Sequence, residues 1–186
     1  MKRFFDLTLG LFASFVLLLP VLLVAIAVRL TSKGPALYWS DRVGRNNVVF
    51  KMPKFRSMRL GTPAVATHLL FDARTHLTPI GSFLRKSTLD ELPQLWSILV
   101  GDMSFVGPRP ALFNQRDLIA LRTERGVNTL VPGLTGWAQV NGRDELPISE
   151  KVRLDLVYLQ RQSMRFDIHI LWLTLVQVLR RDGVSH

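Results

Sequence analysis

The chain has 186 residues, enough for one domain with a real core, and no cysteine, which excludes a disulfide framework and any thiolate metal site. Lys and Arg number 24 against 14 Asp and Glu, a net charge of +10, which points to nucleic acid, anionic lipid surfaces or small anionic substrates as partners. Hydrophobic residues nevertheless make up 48% of the chain, high for a soluble basic protein.

Much of that excess lies in the uncharged run Leu7–Val28, long enough to span a bilayer. Three readings compete for it. A cleaved signal peptide fits Lys2–Arg3 at the start and Ala25-Ile26-Ala27 as a cleavage-like end, but the run is too long and Asp6 stands at its entrance. A single span puts Lys2 and Arg3 on one side and Arg29, Lys33, Arg42 and Arg45 on the other, against the positive-inside rule. A helix–break–helix uses Pro20, which removes a hydrogen bond and crowds the carbonyl four residues earlier. A sharp enough bend returns the chain to the side it entered, whereas a merely kinked helix still spans.

Gly34-Pro35 ends the apolar segment, and Tyr38 and Trp39 follow where amphipathic aromatics collect at a membrane interface. Residues 36–40 and 48–51 predict a short hairpin around Gly44-Arg45-Asn46-Asn47. From Arg42 to Arg59 there are cations and no acid, which reads either as a solvated basic face or as a cytoplasmic flank near anionic headgroups. Residues 60–75 read as a loop containing a short helix, and Thr78-Pro79 opens a helix that runs to about Lys86. A second helix is expected from about Asp90 to Val100, with Leu92, Leu95, Trp96 and Leu99 on one face and Pro93 confined to its first turn. Gly107-Pro108-Arg109-Pro110 is a rigid turn, residues 111–125 a helix, 131–143 a Gly-rich loop, and 149–162 and 166–180 two further helices, the last too short to span.

The chemistry points to the adjacent acids Asp90 and Glu91. In a helix first turn they have an ordinary structural explanation, since Thr88 and Glu91 have capping-box spacing. Their neighbours argue for more. Arg85 and Lys86 precede the pair, Arg109 follows in a proline-fixed turn, and Lys54 and Arg56 lie in the basic run. Arg clamps phosphate oxygens, and a phosphate beside two carboxylates needs a cation between them. Mg²⁺ suits, taking one or two carboxylates and completing its shell with phosphate and water. A carboxylate is also a nucleophile, so one acid could attack while its neighbour holds metal. The four histidines are scattered without ligand spacing, Ser87 has no paired His, Asp102 reads as a turn residue, and Asp155 and Tyr158 as a structural pair on one helix face. No recognition helix or basic–aromatic face marks a nucleic-acid binder.

These residues carry a resemblance. Lys54-Phe55-Arg56-Ser57-Met58, Leu77-Thr78-Pro79-Ile80-Gly81 through Leu84-Arg85-Lys86, Leu89 to Leu95, Gly101-Asp102-Met103-Ser104 with Val106 to Pro110, and Pro132 to Arg143 resemble, in order, the bacterial sugar transferases in their small monotopic phosphoglycosyl transferase form. The resemblance implies transfer of a phospho-sugar from a UDP-sugar to a polyprenol phosphate, such as undecaprenyl phosphate, with release of UMP and dependence on Mg²⁺. Asp90 would attack the sugar-linked phosphorus and Glu91 would help hold the metal. Arg85 and Arg109 match positions expected near phosphate, as do, less closely, Lys54, Arg56 and Arg143. Asp90–Glu91 is thereby preferred to the second Asp-Glu-Leu-Pro at 144–147.

The implied architecture is α+β and mostly helical. Residues 1–33 form a membrane-embedded re-entrant helix pair broken at Pro20. Residues 34–186 form a catalytic domain with a short hairpin and interfacial amphipathic helices on the cytoplasmic face of the bacterial inner membrane. Implied partners are the two substrates, membrane lipid, later glycosyltransferases and a second copy of the chain, but not nucleic acid. The break here is Leu19-Pro20, where the family often has Ser-Pro. Direct attack by the polyprenol phosphate and an inactive scaffold of a glycan-assembly complex are the alternative readings.

Overall fold

A computed structural model describes residues 1–63, 65, 72–142 and 146–180. It is mixed α and β, mostly helical, with small sheets. Helices α1 (Lys2–Val16) and α2 (Leu18–Thr31) meet at a 61° bend, and neither alone is long and apolar enough to cross a membrane. The break falls at Leu17 (φ −91°, ψ 4°), not at Pro20 where the sequence placed it. The physical reason is the reach of proline. Its ring crowds, and its missing N–H cannot bond, the carbonyl four residues back, so the disruption appears at Val16–Leu17. Pro20 itself then lies in the first turn of α2, where its N–H is not needed.

Strands β1 (Leu37–Val43) and β2 (Val49–Phe55) form the expected hairpin, with Asn46 and Asn47 at positive φ in the turn. It is longer than expected on both sides. Pro53 argues against continuing a strand, but β2 is an edge strand, and there a missing donor is tolerated. Next come two helices, α3 (Gly81–Lys86) and α4 (Gln94–Val100), and two strands, β3 (Ser104–Val106) and β4 (Ala111–Leu112). Strand β4 pairs with β1, so residues 111–112 are strand, not the start of a helix; α5 begins later and spans Arg116–Glu124. The Gly-rich stretch after it is not wholly loop. It holds β5 (Gly133–Thr135), parallel to β3, and α6 (Trp137–Val140). Helices α7 (Ile148–Arg161) and α8 (Met164–Arg180) complete the described chain.

The main core gathers Met52, Ile98, Met103, Val106, Val127, Tyr158 and Ile170 from β2, α4, β3, α7, α8 and the loops between them. Helix α1 is fastened to this body by polar groups as well as packing. Gly10 lies against Leu99 so closely that a Cβ would stand 3.1 Å from its Cδ2. Asp6, 4% exposed, accepts from Ser104 Oγ (3.0 Å) and the Phe105 amide (3.1 Å). Arg3 donates to the carbonyls of Ile98 and Leu99, capping α4, and Lys2 pairs with buried Asp167. On the opposite side the pair presents exposed Phe4, Leu11, Phe12, Phe15, Leu19, Leu23 and Leu30.

Candidate active site

Asp90 and Glu91 do not lie in the first turn of α4. They form a separate 3₁₀ turn, Leu89–Glu91, entered through Thr88 in the left-handed region (φ 56°). Thr88 makes no side-chain cap, so the capping-box explanation fails, and α4 starts only after Pro93. Proline has no N–H to continue the ladder from Leu89 and Asp90, which divides the expected single helix in two. Leu89 and Leu92 flank the acids and pack against buried Val28, Phe55 and Leu84, so the apolar neighbours pin the turn while the carboxylates face the charged cluster.

That cluster is built from three directions. Lys54, on β2 opposite Tyr38, places Nζ 2.7 Å from Glu91 Oε1. Arg109, in the turn after β3, places a terminal nitrogen 2.8 Å from the same oxygen. Arg85, in the last turn of α3, contributes its positive field to Asp90. The turn bearing Arg109 is held on all sides. Gly107 N–H donates to Thr135 O and Gly133 N–H to Pro108 O. Arg122 donates to Arg109 O (2.8 Å), and Arg42 to Pro110 O (3.1 Å). Arg122 is in turn gripped by Asp155, 1% exposed, through Nε (3.0 Å) and a terminal nitrogen (2.7 Å).

The two acids experience different environments. Burial pushes the Asp90 carboxyl above its ordinary value; Lys54 opposes this, the neighbouring Glu91 charge adds to it, and Arg85 and Arg109 oppose it. Burial also works against ionised Glu91, but Arg109 and Lys54 outweigh it and hold that carboxyl far below the usual range. Glu91 is therefore a fixed anion. Asp90 is 8% exposed, and among the described residues no group hydrogen-bonds its carboxylate. Both cations use Glu91 Oε1, leaving Oε2 open among the described residues. The acceptors left available are thus the Asp90 carboxylate and Glu91 Oε2, a sparse oxygen set of the kind that suits an ion sharing its shell with phosphate and water. No group of three or more His, Cys, Asp or Glu converges among the described residues.

The model of the family described as bacterial sugar transferase matches residues 1–181. The chain belongs to that family.

Three curated relatives illustrate its range. This sugar transferase is 37% identical to the uncharacterized sugar transferase EpsL of Bacillus subtilis, covering 100% of this chain and 90% of that one. It is 37% identical to the UDP-galactose-lipid carrier transferase of Erwinia amylovora over 98% of this chain and 41% of the relative. It is 39% identical to the UDP-glucose:undecaprenyl-phosphate glucose-1-phosphate transferase of Escherichia coli over 94% of this chain and 39% of the relative. The chain thus spans nearly all of the first relative and about two-fifths of the other two.

Of the expected site residues, the structure brings together Asp90, Glu91, Lys54, Arg109 and, through its field, Arg85. Arg56 is used differently. It is 4% exposed and donates to Ser32 O, Ser32 Oγ and Lys33 O, latching the end of α2. Gly34 (φ +113°) leaves room for that latch, since a Cβ there would stand 2.8 Å from the guanidinium. Arg143 and the second acid pair, Asp144–Glu145, lie outside the described residues. Arg42 and Arg122 support Arg109 without any signal in the sequence, and Asp155 pairs with Arg122 rather than with Tyr158. Nothing local in the sequence marks these supports, because each acts on a backbone carbonyl or buried acid distant in the chain.

Proposed function

We propose that this phosphoglycosyl transferase moves a phospho-sugar from a UDP-sugar to undecaprenyl phosphate through a covalent intermediate on Asp90. The observation that carries this reading is the division of the acid pair: a buried Asp90 carboxylate with open oxygens beside a Glu91 anion neutralised by Lys54 and Arg109. The names of the Erwinia and Escherichia relatives support the donor and acceptor classes. In the first step an Asp90 oxygen attacks the sugar-linked phosphorus, the bond to the bridging oxygen breaks, and UMP leaves with the electron pair. In the second, a phosphate oxygen of undecaprenyl phosphate attacks the same phosphorus and the bond to Asp90 breaks, giving the polyprenyl-diphospho-sugar. In this reading Arg109 and Arg85 bind phosphate oxygens and Lys54, paired with Glu91, keeps that acid in position. Mg²⁺ held by Glu91, together with Asp90 before attack, supplies charge neutralisation on the diphosphate when bound.

The reaction is the membrane-committing step of glycoconjugate assembly, with its product passed to later glycosyltransferases. The bent helix pair supports a re-entrant seat in the cytoplasmic leaflet. Helix α1 has 15 residues, about 22 Å long at 1.5 Å per residue. With the 61° bend shared equally, each arm inclines by about 30° and the apex reaches about 11 Å, within the roughly 15 Å of one leaflet's hydrocarbon. Incubation with UDP-sugar alone tests the covalent route. The expected result is UMP release with a phospho-sugar mass adduct mapped to Asp90. UMP formed only with acceptor present, and no adduct, would establish direct attack instead.

A further inference from the structure

A cavity of about 300 Å³ opens beside the end of α2, lined by Ser32, Lys33, Arg56, Arg59 and Thr78 among others. None of Lys54, Asp90, Glu91 and Arg109 lines it, and its volume falls at the lower end of the range of small-ligand pockets. Its charge is one-sided. Among the described residues three that line it are cations and none is an acid, and the sequence between Asp41 and Asp72 contains no acid at all. Lys33 and Arg59 are exposed at the opening. Arg59 Nε makes a long 3.3 Å bond to Leu77 O, leaving its terminal nitrogens for a ligand. Arg56 is committed through its terminal nitrogens to Ser32 and Lys33, and its Nε is shut off from solvent, so it contributes positive charge to the wall and no free donor. The helix latch made by Arg56 does not account for two further cations, Lys33 and Arg59, at the same opening.

We propose that this cavity binds the phosphate group of a membrane lipid. The inference rests on the membrane seat described above, which puts the end of α2, where apolar residues give way to Arg29 and Lys33, at headgroup level. Guanidinium and ammonium donors around a cavity with no acid among its described lining residues are suited to phosphate oxygens. The phosphate has two sources, the undecaprenyl phosphate acceptor or bulk anionic phospholipid.

The test uses the full chain in phosphatidylcholine nanodiscs, with and without phosphatidylglycerol, and compares wild type with K33S/R59S and the charge-keeping K33R/R59K. Native mass spectrometry counts retained phosphatidylglycerol, and UMP release gives the KM for a short-chain polyprenyl phosphate. A rise of about tenfold in acceptor KM in K33S/R59S, reversed in K33R/R59K, identifies the acceptor phosphate; tenfold is the scale of one charge-assisted contact. A similar loss of retained phosphatidylglycerol at unaltered acceptor KM identifies bulk lipid. If neither readout moves, or if both variants lose the ligand equally, the proposal is overturned. Should wild type show no acceptor-dependent UMP release, the transfer reading fails, while the phosphatidylglycerol count still reports on the cavity.

Discussion

Replacing Asp90 by Asn should destroy transfer and stabilise the protein. Asp90 is 8% exposed and burial is the largest influence on its carboxyl, so folding removes part of the water around the ionised group while its oxygens stay open to solvent. Burial outweighs the fields of Lys54, Arg85 and Arg109, and partial desolvation of this kind costs about 1–2 kcal/mol. For a chain of 186 residues that corresponds to a Tm higher by roughly 2–8 °C in Asp90→Asn. The pH dependence has a definite sign. The folded-state pKa is raised, so the native state binds more protons than the unfolded state between the ordinary carboxylate value and the raised one. Wild-type stability therefore falls as pH rises through that window, and the advantage of the variant grows across it and vanishes below it. Thermal unfolding followed by circular dichroism from pH 3 to pH 8, in metal-free buffer, measures this. A variant no more stable than wild type at pH 8, or a Tm difference independent of pH, would refute the assignment of Asp90 as an anion destabilised by burial.

Other outcomes follow from the same geometry. Glu91→Gln leaves Lys54 and Arg109 facing each other without their shared anion, and kcat for UMP release should fall about 10²–10³-fold. Because the Glu91 pKa is depressed, its contribution to stability is fully present above the ordinary carboxylate range and disappears only as pH falls through the depressed value; acid titrations of wild type and Glu91→Gln should converge only there. Arg122→Ala strands buried Asp155 and should cost about 3–5 kcal/mol by denaturant unfolding. Arg122→Lys keeps the charge but loses the fork that reaches the Arg109 carbonyl, so it should fold and lose about 10- to 100-fold in kcat. Chelation of divalent ions should stop UMP release and added Mg²⁺ restore it, with persistent activity in excess chelator counting against a role for Glu91 in holding metal.

The site was legible in the sequence where its parts are contiguous. Asp90, Glu91 and Arg109 stand within one short stretch, and the proline-flanked turn announces a fixed Arg. The local backbone was harder to read. Apolar spacing from Leu92 to Leu99 predicts a helix, but it cannot say that Pro93 divides that helix and leaves the acids in a 3₁₀ turn. What was illegible depends on distant partners. Asp6 looks like a charge at the mouth of an apolar run, and its purpose appears only when β3, 98 residues away, brings Ser104 against it. Arg56 has the composition of a phosphate ligand, but burial beside the end of α2 turns its terminal nitrogens to backbone carbonyls. Pro20 was the right signal assigned to the wrong residue, since proline acts on the carbonyl four positions behind it.

The N-terminal charges change how the apolar segment is understood. By the positive-inside rule, Lys2 and Arg3 count as a free basic flank. In the fold they are not free: Lys2 pairs with Asp167, Arg3 caps α4, and Asp6 grips β3. The start of α1 is thereby tied to the same body that carries Asp90, and α2 is tied at its far end through Arg56 to β2, the strand of Lys54. A bent pair fastened at both ends cannot straighten across a bilayer without breaking buried polar contacts at one end, each costly to leave unmade. The same ties that resist spanning fix the height of the acid pair above whatever surface the apolar face enters. Under the function proposed above, with the acceptor confined to a leaflet and Asp90 as nucleophile, the latches at both ends of the pair would hold that nucleophile at one constant height.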